Sequence, residues 1–198
     1  MTVTDRPYRG ISADHRRSER REQLLQACLD VVGRSGVAGT TVGAICEQAG
    51  LTKRYFYEAF ADRDAILCAA LDDLHVALLR RIRTAIAHEP DARRRTRLTA
   101  RMLADTMDDP RLARLFVEAA ALPSLHDLRR RAYDVYADLV AHEVLGLTEP
   151  SPRARLATQV LVAGATEAVS RWVEGGTGLT RDEFVEVLTE LASGVSRA

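Results

Sequence analysis

In the run Lys53-Arg54-Tyr55-Phe56-Tyr57-Glu58-Ala59-Phe60, two cations and two phenols fall within five residues. On a helical wheel at 100° per residue, Phe56 and Phe60 lie together at about 300° and 340°. Arg54 and Glu58 stand opposite them, with Lys53 and Tyr57 on one flank and Tyr55 and Ala59 on the other. The phenylalanines make the core side. The other side carries groups suited to a DNA groove: cations for phosphates and guanine edges, phenols for phosphate oxygens and thymine methyls. The same pattern also fits a solvated charged face with two half-buried tyrosines. Periodicity alone leaves both readings open.

Other reactive residue types form no constellation. His15, His75, His88, His126 and His142 make no His-Glu-x-x-His pair, and neither a Gly-x-Ser-x-Gly elbow nor a nucleotide loop occurs. Asp72-Asp73 lacks a second acidic cluster and reads as a solvated helix face. Gly175, Gly176 and Gly178 lack the preceding strand and the Lys-Ser/Thr ending of a phosphate loop, so they read as a connection. Turnover is not expected, and neither a metal nor a cofactor is implied. Cys28, Cys46 and Cys68 are odd in number and fit neither a disulfide framework nor zinc spacing. All three fall on apolar faces, where burial raises a thiol pKa.

The elements that must position the 53–60 run are helical. No β-branched run alternates with period two, whereas apolar residues recur every three or four positions. A first helix is expected over about 16–34, ended by Gly33 and Gly36. Thr41 can cap a short helix to Ala49, with Gly50 in the left-handed conformation at its end, and Thr52 caps the next. Two helices this short are unstable alone and must dock on their neighbours. Asp62 opens a long helix striped by Leu67, Leu71, Leu74, Leu78, Ile82 and Ile86, which Pro90 terminates. Later starts are expected at Asp91, at Asp109 before Pro110, at Ser124 with Asp127, and at Ser151 before Pro152; Thr180 with Glu183 makes a capping box. The result is an all-α chain of nine helices and nothing else.

The run from Thr40 to Phe60, followed by Asp62-Arg63-Asp64-Ala65-Ile66-Leu67, closely resembles the DNA-binding region of the tetracycline-repressor (TetR) family. The order of elements is also similar: a basic arm, a first helix, a helix-turn-helix, a long fourth helix, then five helices. This resemblance implies a basic arm over 1–15, a three-helix DNA-binding domain over 16–61 with its recognition helix at about 52–60, and a ligand-binding and dimerisation domain over 62–198. It implies that Thr41 binds phosphate at a helix N-terminus. Thr52, Lys53 and Tyr57 match backbone-contacting positions, Arg63 a further phosphate anchor, and Phe60 a packing aromatic. Arg54, Tyr55, Glu58 and Ala59 depart from the family pattern where sequence reading is expected, and Cys46 stands where Ala is usual. Arg54 and Glu58 can pair on the free helix; in a groove Arg54 could take guanine, with Glu58 holding it or accepting from cytosine.

By the same resemblance the partners are a palindromic double-stranded DNA operator, a second copy of the chain, and an unidentified small-molecule effector. One recognition helix reads only a few base pairs, so a two-fold pair is needed. Val160, Gly164, Ala168 and Trp172, with Phe184, Val187, Leu188 and Leu191, are the candidate dimer residues; an intramolecular core is the alternative. Met102, Met107, Phe116, Tyr133 and Tyr136 are candidate linings of an effector cavity, or plain core.

Charge and composition fit this picture. The 198 residues carry 28 Lys plus Arg against 28 Asp plus Glu, which argues against a general polyanion binder. Six arginines against three acids fall within residues 1–21, so positive charge gathers ahead of the first helix. With 46% hydrophobic and 28% charged residues the chain is globular in composition. Its longest apolar run, Ala65 to Leu71, is far short of the roughly 18 residues that span a bilayer. With no secretory signal apparent, cytoplasmic residence is expected. The expectation is thus a transcriptional regulator, a repressor released by a small molecule. A thiol redox-responsive or ligand-independent DNA-binding protein is the alternative.

Overall fold

The computed structural model describes residues 13–195, so most of the basic arm expected over 1–15 lies outside the described residues. The described chain is all helix and connection, with nine α-helices: α1 (Ala13–Gly39), α2 (Val42–Ala49), α3 (Lys53–Ala59), α4 (Arg63–Ile86), α5 (Ala92–Thr106), α6 (Pro110–Glu118), α7 (His126–Asp138), α8 (Pro152–Val173) and α9 (Arg181–Val195). Among the described residues no helix is long and apolar enough to cross a membrane.

Most starts are set by side-chain caps. Thr41, Asp62, Asp91, Asp109 and Ser151 each accept from a backbone N–H of the first turn. Thr180 and Glu183 exchange bonds as a capping box: the Thr180 amide donates to Glu183 Oε2 at 2.8 Å, and the Glu183 amide donates to Thr180 Oγ1 at 3.4 Å.

Three expectations need correction. The first helix runs past Gly33; Gly36 breaks it as expected, with a non-helical φ of 73° and ψ of 171°, but a second short helical stretch follows to Gly39 instead of a loop. Ser124 does not start a helix, because its hydroxyl is turned to Asp64 of α4; two 3-10 turns, Ala119–Ala121 and Pro123–Leu125, lead into α7 instead. The chain is also not purely α-helical, since α7 widens into a π-helical segment, Leu139–Val144. That wide turn is held from outside, by Arg95 Nε donating to the Val144 carbonyl at 2.8 Å.

Three apolar clusters hold these elements. The first joins Leu24, Cys28, Val31 and Val32 of α1 to Ile45 of α2, Phe56 of α3 and the start of the α4 stripe, and it extends to Leu115, Ala119 and Leu125. The second joins α5 and α6 to Val169 of α8 and Phe184, Val185 and Leu188 of α9. The third sets Leu78, Ile82 and Ile86 of α4 against Leu139 and Val144. Leu71, Leu78 and Ile82 of the α4 stripe also line a cavity of about 120 Å³.

Candidate nucleic-acid interface and interior cavity

α2 and α3 meet across Gly50, whose φ of 63° is the left-handed conformation that glycine adopts without a Cβ penalty. The amides of Gly50 and Leu51 close on the Glu47 and Cys46 carbonyls at 3.2 and 3.0 Å, ending α2 in one tight turn. Gln23 of α1 fastens the same end by donating to the Ala49 carbonyl at 2.7 Å. At the other end of α2 the Thr41 hydroxyl accepts from the Ala44 amide at 3.1 Å and keeps its own proton to donate outward. Thr52 sits at the start of α3 in extended geometry, yet its hydroxyl makes no bond to the helix, so the cap expected there is absent.

The wheel drawn for residues 53–60 holds. Phe56 is fully buried and Phe60 nearly so, with ring centroids 5.8 Å apart. Thr52, Lys53, Arg54, Tyr55, Tyr57 and Glu58 all face outward, Tyr57 at 58% exposure. The Arg54 side chain is 85% exposed, and its Nε donates to Glu58 Oε1 at 3.1 Å, the pairing expected of the free helix. Sequence reading missed two neighbours from α1. The Arg20 guanidinium lies 4.6 Å over the Tyr55 ring, and that of Arg21 lies 5.1 Å over Phe60. Arg63 is half-buried and gives two bonds to Asp64 Oδ1, at 2.9 and 2.8 Å. Asp64 is held below the usual carboxylate range by the Ser124 hydroxyl first and by Arg63 second.

None of the thiols is activated. Burial pushes the Cys28 thiol up to about 12 and raises Cys46 and Cys68 as well, which disfavours the thiolate that oxidation needs. Among the described residues no group of three or more His, Cys, Asp or Glu could hold a metal ion.

The cavity lies between α4, α5, α6, α7, α8 and α9 and is walled mainly by aliphatic side chains. Of the expected lining residues, Phe116, Tyr133 and Tyr136 are there. Met102 and Met107 are not: α5 turns Thr96, Thr99, Ala100 and Leu103 to the cavity, while Met102 packs in the third cluster and Met107 in the second. His75 and Arg129, which the sequence did not single out, are also in the wall, as are Thr96, Thr99 and Thr166. His75 follows Leu74 at the edge of the α4 stripe, which was the available signal. Both of its ring nitrogens are buried without a partner. Burial drives the imidazole down to about 4, Arg129 adding to the effect and Asp72 opposing it, so the ring is neutral near pH 7. It meets the Tyr136 ring edge-on at 5.7 Å, and the Tyr136 hydroxyl donates to the His75 carbonyl at 3.2 Å.

The residues expected at a dimer interface divide in two. Phe184 and Leu188 are sealed in the chain's own core, Trp172 stacks on Phe184 at 4.8 Å, and Ala168 packs against the same cluster. Phe184 and Leu188 are therefore intramolecular, whereas Ala168 and Trp172 are only half-buried by that cluster and keep part of their surface open. Val160, Gly164, Val187 and Leu191 remain exposed and continue into Leu156 and Ala163.

Residues 24–70 match the family model of the tetR family of bacterial regulatory proteins. The HTH-type transcriptional regulator BetI of Stenotrophomonas maltophilia is 34% identical over 92 residues, which is 46% of this chain and 38% of that protein. The chain thus spans well under half the length of that relative. A TetR family transcription regulator of Marinobacter aquaeolei superposes with a TM-score of 0.64 at 20% identity, over 92% of this chain and 97% of that one. The transcriptional regulator FadR of Bacillus subtilis, solved in complex with stearoyl-CoA, superposes with a TM-score of 0.67 at 17% identity, over 88% of this chain and 97% of that one. At such identities the structural likeness establishes the fold.

Proposed function

We propose that this chain, a tetR-family protein in its residues 24–70, is a homodimeric, sequence-specific DNA-binding transcriptional regulator, a repressor released by a small molecule. The observation that carries the proposal is α3: seven residues whose phenylalanine is buried while Lys53, Arg54, Tyr55, Tyr57 and Glu58 stand outward together. In this reading residues 16–61 read DNA and residues 62–198 bind the effector and the second subunit. Thr41, Thr52, Lys53 and Tyr57 hold phosphates, and Arg63 adds a charge that Asp64 partly offsets. Arg54, Tyr55 and Glu58 face base edges, with Arg20 fixing the Tyr55 ring. Operator DNA as partner places the protein in the cytoplasm.

The exposed apolar residues of α8 and α9, Leu156, Val160, Val187 and Leu191 with Ala163 and Gly164 between, suit a two-fold contact. Release is mechanical in this reading. α6 puts Phe116 into the cavity wall and grips α1 with its other face: Arg111 Nη1 donates to Asp30 at 2.7 Å, and Glu118 Oε2 accepts from the Val37 amide at 2.6 Å. Asp30 also accepts from Gln48 of α2 at 2.9 Å, so movement of α6 reaches the recognition pair in two bonds. A ligand that favours one α6 position changes DNA affinity by its differential binding. That a regulator of this fold is solved in complex with stearoyl-CoA supports a small-molecule ligand for the fold.

The test compares operator with random DNA. Arg54→Ala should cost about 1 to 3 kcal/mol on the operator and much less on random sequence. Equal losses on both would reduce Arg54 to a phosphate contact.

A further inference from the structure

The cavity is apolar along most of its wall, and the hydroxyls of Thr96, Thr99 and Thr166 are spent on carbonyls of their own helices, so the polar groups left to a ligand are those of α4 and α7. These are the orphaned ring nitrogens of His75, the Arg129 guanidinium, whose charge acts on that ring, and the Tyr133 hydroxyl bonded to Arg129. Arg129 donates to Tyr133 Oη at 2.9 Å and to the Ala120 carbonyl at 3.2 Å, and among the described residues no carboxylate lies within ion-pair distance of it. A half-buried guanidinium satisfied by a phenol and a carbonyl keeps an uncompensated positive charge. Because the Tyr133 oxygen accepts from Arg129, its own proton stays available to donate. The neutral imidazole offers one further N–H, now without a partner in a place where such groups are normally satisfied.

We propose that the effector is a monocarboxylic acid with a compact apolar body, its carboxylate held by Arg129, Tyr133 and His75 and its body lying against Leu78, Ile82 and Phe116. A cation would meet the like charge of Arg129, and a purely apolar molecule would leave both His75 ring nitrogens without a partner, where a carboxylate takes up the N–H. The cavity's 120 Å³ also limits size. An apolar cavity of about 150 Å³ takes a benzene ring, so 120 Å³ admits at most a body of about that size, and a longer chain needs the walls to move. The inference rests on the reading of this cavity as the effector site.

Calorimetric titration of the full-length protein with benzoate and octanoate, against benzamide, octanamide, benzylamine and octylamine, tests it without DNA. The acids should bind about tenfold more tightly than their amides, the margin of one charge-assisted contact. The amines should bind more weakly still. Arg129→Gln should collapse the difference between acid and amide, and Arg129→Lys, which keeps the charge, should restore part of it. Acids binding no better than amides, or a preference that survives Arg129→Gln in a protein that still melts cooperatively, would overturn the assignment. Operator binding measured with the same acids separates the two proposals. Acids that bind with the stated preference yet leave operator affinity unchanged would uphold the carboxylate site in this cavity but overturn its role as the effector site, and with it ligand-released repression.

Discussion

Single residues set the chemistry, and their energies decide which contacts persist. The Arg54–Glu58 pair is an exposed i,i+4 bridge, worth about 0.3 to 0.5 kcal/mol. A bidentate guanine contact is worth about 1 to 3 kcal/mol, so the pair orients Arg54 on the free helix without withholding it from a base. His75 is the opposite case, a group whose environment fixes its charge. Its folded pKa, about 4, lies below the ordinary 6.5, so only the unfolded chain takes up a proton as the pH falls between these values. Stability from the neutral ring is fully present above 6.5 and declines toward pH 4, by on the order of 3 kcal/mol. His75→Leu should flatten urea midpoints over that window. An unchanged slope in the variant would mean that other groups titrate there. Asp30 and Asp109, held low chiefly by Arg111, act at lower pH, where carboxylates protonate.

Elements were legible where a cap or a stripe marks them and illegible where a distant partner sets them. Thr41, Asp62, Asp91, Asp109 and Ser151 bond within their own first turn, so local sequence suffices. The continuation of α1 past Gly36 is decided by α6. Glu118 accepts from Val37 and Arg114 donates to the Gly33 carbonyl, so the chain re-enters the helix after the kink. A Cβ at Gly36 would sit 2.6 Å from Glu118 Oε2 and 2.8 Å from Arg114 Nη2, at a φ of 73°. Gly36→Ala should therefore destabilise by about 1 to 3 kcal/mol in thermal melts. Gly50→Ala, at a similar φ but with open space around it, should cost less. Equal losses would mean that neither the contacts around Gly36 nor its ψ of 171°, against 28° at Gly50, adds to the cost. The π segment likewise depends on Arg95, 49 residues away in sequence from the carbonyl it holds.

At the scale of the whole molecule, two surfaces must act together for the proposed function: the outward face of α3 and the apolar face of α8 and α9. Val160 and Leu191 are 63% and 57% exposed in the single chain, so a charge placed there costs the protomer little. Leu191→Glu should sediment as a folded monomer at concentrations where the parent chain is a dimer. It should also lose about 100-fold or more in operator affinity, because joined reading heads bind by effective concentration. A Leu191→Glu dimer with intact operator affinity would move the two-fold contact elsewhere.

The residue pattern by itself determined the helical class, the position of most starts, and which side of residues 53–60 is core. Each of these follows from contacts within a turn or two of chain. Tertiary structure decided which apolar stripes close inward and which stay open: Leu188 and Leu191, one turn apart on α9, lie on opposite sides of that division. It also decided that His75 and Arg129, 54 positions apart in the sequence, share one cavity wall. Periodicity reports how a side chain lies on its own helix, and only the packing of α4 against α7 sets what stands across from it.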